Sequence, residues 1–360
     1  MKKLRIPFKK KVQLGAFGQY RKVQAEMHDL QYLFWECTLS CNLSCLHCGS
    51  DCRQRAATKD MPLRDFLLAL DEISTQYDPK NIMVVLTGGE PLLRTDLETC
   101  GGEFGKRKYP WGMVTNGYSL TADRLEKCCD SGLASITVSL DGLKASHNWL
   151  RGSGESYKRA LNALALCAGK KYLVHDAVTC VNQKNFGELG ELQRILIDKG
   201  VKKWRLFTIF PKGRAKDNKA FSLSGGQFVE LMEFIKAGRA EGRIEPSFSC
   251  EGFLGPYEGE VRDDFFFCRA GINIGSVLAD GSISACPSLR ADYSQGNIYK
   301  DSFLDVWNNR FQVMRDRAWT KTGKCLDCGA FKWCGGNGLH LRDERTGELL
   351  QCYYDEVLRQ

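Results

Sequence analysis

Three cysteines in the segment WECTLSCNLSCLHCGSDC, Cys41, Cys45 and Cys48, stand at the spacing C-x3-C-x2-C. Thiolates this close in one loop can hold three corners of a cubane iron–sulfur cluster and leave the fourth iron without a protein ligand. An open coordination position marks a reactive metal site rather than a structural one. The alternative is a structural zinc loop, although such loops usually pair one C-x2-C with another. Near the other end, Cys325, Cys328, Cys334 and Cys352 form C-x2-C-x5-C-x17-C. Four thiolates satisfy a closed site, either a complete [4Fe–4S] cluster or a tetrathiolate zinc ribbon.

The 360 residues include 17 cysteines, 43% hydrophobic and 26% charged residues, the balance of a folded protein. The length suits two domains, or one large barrel with an appendage. No apolar run follows the basic start as a signal peptide requires, and none reaches the roughly 18 residues of a membrane span. The expected compartment is a reducing cytoplasm, where cysteines are thiols or metal ligands. Residues 1–12 carry six positive charges and no acid, out of a formal net charge of +8. The body is therefore near neutral and offers no nucleic-acid footprint. The basic tip reads as a solvated, frayed end, with contact to anionic lipid or an acidic peptide as the alternative.

The elements that must position these cysteines come from pattern. Strands are expected at Leu33–Glu36, Ile82–Leu86, Gly112–Thr115, Ser135–Leu140, Leu173–Val181 and Trp204–Ile209, with amphipathic stretches between them. Such alternation implies parallel βα units, and right-handed crossovers curl them into a partial (β/α)6 TIM-like barrel. Sites in such barrels lie at the carboxyl ends of strands, where Cys41–Cys48 falls. The expected organisation is a basic extension over 1–30, a core over 31–215, a helical connector over 216–249 whose helix is capped by Ser224, and a small cysteine-rich iron–sulfur domain over 250–360. A further helix is expected over 304–318. Cys37 reads as a buried thiol, Cys52 as an exposed one without a role, and Cys100, Cys128, Cys129, Cys167 and Cys180 as core.

The cysteine loop resembles the signature of the radical S-adenosylmethionine (radical SAM) superfamily. In that family the open iron chelates SAM, one electron cleaves it, and the resulting 5′-deoxyadenosyl radical removes a hydrogen atom from the substrate. Other strand ends agree in order. Gly88, Gly89, Glu90 and Pro91 follow strand two, where the resemblance puts them against the SAM amino group. Asn116 follows strand three. Ser139 and Asp141 follow strand four and are expected at the ribose hydroxyls or the substrate. Arg151 is expected at the SAM carboxylate, which its forked donors can grip. His47 fills a position near the adenine that is usually aromatic.

The C-terminal part resembles the SPASM domain, an auxiliary-cluster module of radical SAM enzymes that act on peptides, through GNI…FLDVW…R and the four cysteines above. The resemblance favours iron–sulfur over zinc and implies one or two auxiliary [4Fe–4S] clusters. For the second, a cysteine is expected at 338, where this chain has Gly338; the remaining candidates are Cys268, Cys286 and Cys250, three ligands and an open iron. Pro287 stands where sulfatase-modifying members have a basic aspartate, which disfavours that activity. The resemblance implies a maturase acting on a peptide or small protein, a precursor peptide or small lipoprotein, with flavodoxin or ferredoxin as electron donor. Within the family the cysteine segment is most similar to a group paired with small lipoproteins in gut Bacteroidetes. The alternatives are a radical SAM enzyme acting on a small metabolite or cofactor precursor, and a non-catalytic iron–sulfur or zinc scaffold.

Overall fold

The structure is a computed structural model that describes residues 5–54, 56, 58–216, 218–249, 252–289 and 293–358. Cys250 lies outside the described residues. Helix α1 (Phe8–Met27) precedes six strands that alternate with helices: β1 (Tyr32–Thr38), α2 (Leu63–Ile73), β2 (Met83–Gly88), α3 (Leu97–Lys106), β3 (Trp111–Thr115), α4 (Ala122–Asp130), β4 (Leu133–Ser139), α5 (Lys144–Arg151), α6 (Ser156–Ala168), β5 (Val174–Val181), α7 (Leu189–Asp198) and β6 (Lys203–Thr208). Each neighbouring pair from β1 to β6 is parallel, so this is the partial α/β barrel anticipated above.

Alternate strand residues settle which face meets the helices. In β1, Leu33, Trp35 and Cys37 are fully buried; in β5, Ala177 and Thr179 are fully buried and Val181 is buried with them. Trp35 stacks on Phe66 of α2, ring centroids 4.3 Å apart, with Phe104 of α3 set edge-on. Cys37, Cys100, Cys128 and Cys167 are 0% exposed in this core, as read from their surroundings in sequence. The opposite, inner face is polar: Thr137, Asp176 and Arg205 hydrogen-bond across β4, β5 and β6.

Beyond the barrel three features depart from expectation. The connector holds helix α8 (Gly225–Glu241), with the Ser224 hydroxyl accepting from the Gln227 amide, but it also supplies β7 (Glu245–Phe248), which extends the sheet beside β6. The C-terminal part adds β8 (Ile274–Val277) parallel to β1, then β9 (Ser282–Ser284) and β10 (Gly296–Asn297), so one ten-stranded sheet runs through both parts. The helix expected over 304–318 is two, α9 (Phe303–Asn309) and α10 (Gln312–Arg315). The bend lets Phe311 follow Trp307 into the core, rings 5.1 Å apart.

From Ile6 onward the basic N-terminus packs on the fold and is not a frayed end. Ile6 and Leu14 are buried with Phe253 and Phe266 in a cluster that Cys268, Cys328 and Cys334 pack against. Lys10 pairs with Glu260, 2.6 Å away. Helix α1 thus clamps onto the cysteine-rich part and shields it from water. Among the described residues no helix is long and apolar enough to cross a membrane.

Candidate functional site

The loop after β1 is held by backbone bonds to three other segments. The Cys41 amide donates to Arg53 O, the Leu46 amide to Leu150 O at the end of α5, and the Arg214 amide to Cys48 O. The result gathers Cys41, Leu43, Cys45 and Cys52, with Cys48 and Tyr118 against them, into one small cluster. Cys52, expected to be an exposed thiol, is 3% exposed and hydrogen-bonds to the Cys48 sulfur, which lowers the Cys48 pKa and raises that of Cys52. Burial pushes Cys41 up to about 11 and Cys45 in the same direction, so a metal must displace their protons to bind.

The glycines after β2 act on protein rather than on open space. The Gly89 amide donates to Thr38 O at 2.7 Å and the Glu90 amide to Ser40 O at 2.9 Å. A Cβ on Gly89 would lie 2.1 Å from Ser40 O, and Gly88 has φ of +117° against Thr38 O. Only glycine permits this approach, which fixes the start of the cysteine loop. Pro91 opens the short turn that follows. Glu90 is fully buried, and its carboxylate accepts from the Thr115 hydroxyl, the Asn116 amide and the Leu92 amide. It therefore ties β2 to β3. Asn116, held by that bond, points its side-chain amide at Asn42 Oδ1 (2.8 Å) and Cys41 Sγ (3.9 Å).

Arg151, the last residue of α5, lies beside Cys45, with Nη1 3.7 Å from the sulfur. Its Nε bonds to Asp141 at 2.5 Å, and among the described residues no hydrogen bond joins its Nη2 to the protein. Asp141 was expected at ribose or substrate; its partners are different. The residue is fully buried, one carboxylate oxygen holds Arg151, and the other accepts from the Cys180 amide. Burial alone would raise its pKa, but the Arg151 guanidinium holds it at about 2. Asp141 orients Arg151. Ser139 ends β4 at 7% exposure.

His47 Nδ1 is buried without a hydrogen-bond partner. Ligand atoms of His47, Asp141 and Cys180 lie within 4.8 Å of one another. The Arg151 cation already engaged by Asp141 disfavours a metal ion there. Cys180, expected in the core, sits on the inner face of β5 at this site and packs against the apolar cluster of Leu150, Ile209, Ala215 and Phe221. Strand alternation is the signal that could have found it, since Ala177, Thr179 and Val181 face outward.

His147 explains a pH dependence. Its Nδ1 accepts from the Asp141 amide and its Nε2 pairs with the Ser156 hydroxyl, so the ring is neutral. Burial, opposed in part by the Asp141 carboxylate, holds its pKa at about 4, and burial holds that of His340 at about 3. Unfolded histidine titrates near 6.5. The unfolded chain therefore binds more protons between about pH 4 and 6.5, and stability is lost as pH falls through that window. A lower urea midpoint at pH 5 than at pH 7.5 is expected. His147→Asn, which can still accept from the Asp141 amide, should shrink the difference.

At the other cysteine set, Cys325, Cys328, Cys334 and Cys352 lie close enough that Cys334 and Cys352 are both affected by Cys325 and Cys328 and by each other or nearby charge; burial is the chief cause that pushes Cys334 up to about 12 and Cys352 to about 11. Arg342 is fully buried, donates to Cys325 Sγ at 3.3 Å and to three backbone carbonyls, and among the described residues pairs with no carboxylate. The Asn337 amide donates to Cys334 Sγ at 3.1 Å. Cys268 is buried, which disfavours its thiolate, but Arg317 and the amides of Leu339 and Ala270 more than offset this and lower its pKa. The Leu339 amide follows Gly338, so the position lacking a cysteine sits beside Cys268. Cys286 follows β9 and packs against the main core.

Zinc–sulfur bonds of about 2.3 Å put tetrahedral thiolates roughly 3.8 Å apart. Among the described residues neither cysteine set brings three sulfurs within 4.8 Å of one another. Arg342 lies against the Cys325 sulfur and Arg317 beside Cys268, so each cysteine group has a cation next to it.

Comparisons with known proteins agree. The family model for the radical SAM superfamily matches residues 35–196, and that for the SPASM iron–sulfur cluster-binding domain matches 268–329. The chain is 24% identical over 338 residues to the AdoMet-dependent heme synthase of Nitratidesulfovibrio vulgaris, covering 86% of this chain and 90% of that protein. It is 25% identical over 310 residues to mycofactocin maturase MftC of Mycobacterium tuberculosis, covering 84% and 77%. Streptococcus suis SuiB bound to precursor peptide SuiA shares the fold with a TM-score of 0.71 at 18% identity, over 95% of this chain and 80% of that one.

Proposed function

Because the chain belongs to the radical SAM superfamily and carries a SPASM domain, we propose that it is a maturase that modifies a peptide or small protein. Membership brings a SAM-binding [4Fe–4S] cluster, SAM and auxiliary iron–sulfur clusters. When bound, the first cluster and SAM supply a one-electron route to hydrogen-atom abstraction. The observation that carries the reading is the convergence of Asn116, Arg151 and Arg214 from other strand ends on the loop of Cys41, Cys45 and Cys48.

In this reading Cys41, Cys45 and Cys48 hold the catalytic cluster. Arg151 grips the SAM carboxylate with the donors Asp141 leaves free, and Asp141 sets its orientation. Asn116 borders the cluster at Cys41. Glu90 and the glycines position that wall, with the backbone of Gly88–Pro91 beside the SAM amino group. His47 and Ser139 line the nucleoside side. Leu43 and Tyr118 exclude water. Cys325, Cys328, Cys334 and Cys352 hold one auxiliary cluster, and Cys268 and Cys286, with Cys250, a second. The free cysteines are compatible with a reducing cytoplasm, and an acidic flavodoxin or ferredoxin would deliver the electron.

Arg151→Lys keeps the charge and loses the fork. SAM affinity should fall about tenfold to a hundredfold, the size of one or two hydrogen bonds to a charged group, as read by calorimetry on the reconstituted protein.

The peptide reading is supported by the maturase MftC and by SuiB with its precursor peptide among the similar proteins. A second reading, a small tetrapyrrole-like substrate, is favoured by the heme synthase that matches over most of both chains. Deoxyadenosine release by the reduced holoenzyme, with a candidate precursor peptide or with iron-coproporphyrin, separates them. Stimulation and a mass change on the peptide alone support the maturase; stimulation by the porphyrin alone overturns it.

A further inference from the structure

Helix α1 is apolar on two opposite sides. One side, with Leu14 and Phe17, packs on the cysteine-rich part, where Phe17 meets Phe265 at 5.5 Å. The other carries Phe8, Val12, Tyr20, Val23 and Met27, which are 82%, 58%, 51%, 48% and 53% exposed. At 3.6 residues per turn these five fall within a sector of about 120°, along a helix about 30 Å long. Tyr20, at one edge, meets Phe17 and Phe267; among the described residues no core cluster includes Phe8, Val12, Val23 or Met27.

Charge indicates what does. Residues 1–25 hold eight lysines and arginines and no acid, against a net charge of +8 for the chain, so the remaining residues balance; the one acid of α1, Glu26, is exposed near its C-terminal end, on the Phe8 edge of the stripe. Lys9, Lys11 and Lys22 are exposed on this helix, Lys9 within the stripe and the other two along one border. Lysine stems can lie along apolar surface and lift their charge toward phosphate. The face is convex rather than grooved, which suits a flat partner better than a peptide strand. The stripe is interrupted by Lys9, Gln19 and Glu26, and a basic helix with exposed apolar side chains on one face that does not span matches an interfacial membrane helix.

We propose that the outer face of α1 docks the enzyme on an anionic lipid surface. The cysteine-rich part beneath α1 then faces the membrane, and the barrel lies beyond it. The inference does not depend on the substrate.

The test is sedimentation of the reconstituted full-length protein with vesicles. Phosphatidylcholine alone is compared with an equimolar mixture of phosphatidylglycerol and phosphatidylcholine. The mixed vesicles should bind at least about tenfold more protein, and added salt should reduce this. The triple variant Phe8→Ser, Val12→Ser, Val23→Ser should lose about tenfold in binding with unchanged iron content and melting. Lys9→Glu with Lys11→Glu should lose binding while leaving the apolar stripe intact. No binding of the wild type to the mixed vesicles overturns the proposal, as does equal binding by both variants. If the wild type is a dimer that the triple variant dissociates, with no lipid binding, the face belongs to a second copy and the proposal fails. Binding of an acidic peptide in place of vesicles overturns it equally.

Discussion

Cys41→Ala will reduce 5′-deoxyadenosine formation to background while the protein stays folded. The side chain sits in a loop after β1, and its backbone amide, not its sulfur, makes the bond to Arg53 O that anchors the loop. Losing the sulfur therefore leaves the barrel core around Trp35 and Phe66 untouched. It removes one of three ligands from a cluster that has no fourth. About four irons per chain should be lost on reconstitution, and the auxiliary irons kept. Cys52 gives this prediction a control. It lies in the same small cluster and hydrogen-bonds to Cys48, but it breaks the three-cysteine spacing. Cys52→Ala should retain iron and most SAM cleavage. Equal loss in both variants would mean that the loop binds metal through four thiols.

Arg342→Met will have the largest effect on stability. The guanidinium is fully buried, donating to the carbonyls of Gly336, Gly347 and Thr320 and to the Cys325 sulfur. A buried cation without an anion costs several kcal/mol, and among the described residues no carboxylate reaches this one. In the proposed site the thiolates that hold a cluster would provide the compensating charge. Removing the arginine leaves three carbonyls unpaired and the cluster charge unbalanced. The holoprotein should lose about 3–5 kcal/mol, with the iron of the auxiliary site defined by Cys325, Cys328, Cys334 and Cys352. Arg342→Lys should restore part of the iron, since it returns the charge without the fork. Urea unfolding with iron analysis reads both quantities.

Much of the barrel was legible because the first four strands each end in a motif and the helices between strands, such as α2 and α7, show one apolar face. The six strands appear within a few residues of their expected positions, and Cys41, Cys45 and Cys48 converge as their spacing implies. What sequence did not reveal depends on contacts between distant residues. Asp141 reads as a ligand-facing carboxylate until Arg151 and the Cys180 amide are seen to occupy it. The pairing of Tyr32 with Ile274, which joins the cysteine-rich part to the barrel, has no local signal. Helix α1 was hidden for another reason. With Leu14 and Phe17 on one side and Phe8, Val12 and Val23 on the other, its apolar residues show no single period, and the basic residues suggest a loose tail. Cys52 looked exposed because nothing local shows that Cys41, Cys45 and Cys48 gather around it.

The most direct measurement is 5′-deoxyadenosine formation by the wild-type protein, purified without oxygen, reconstituted with iron and sulfide, and supplied with SAM and dithionite. The predicted result is SAM cleavage by a protein holding about 8–12 irons per chain, in two or three four-iron clusters. A protein that holds only zinc, or one that carries intact clusters yet neither binds nor cleaves SAM, would contradict it.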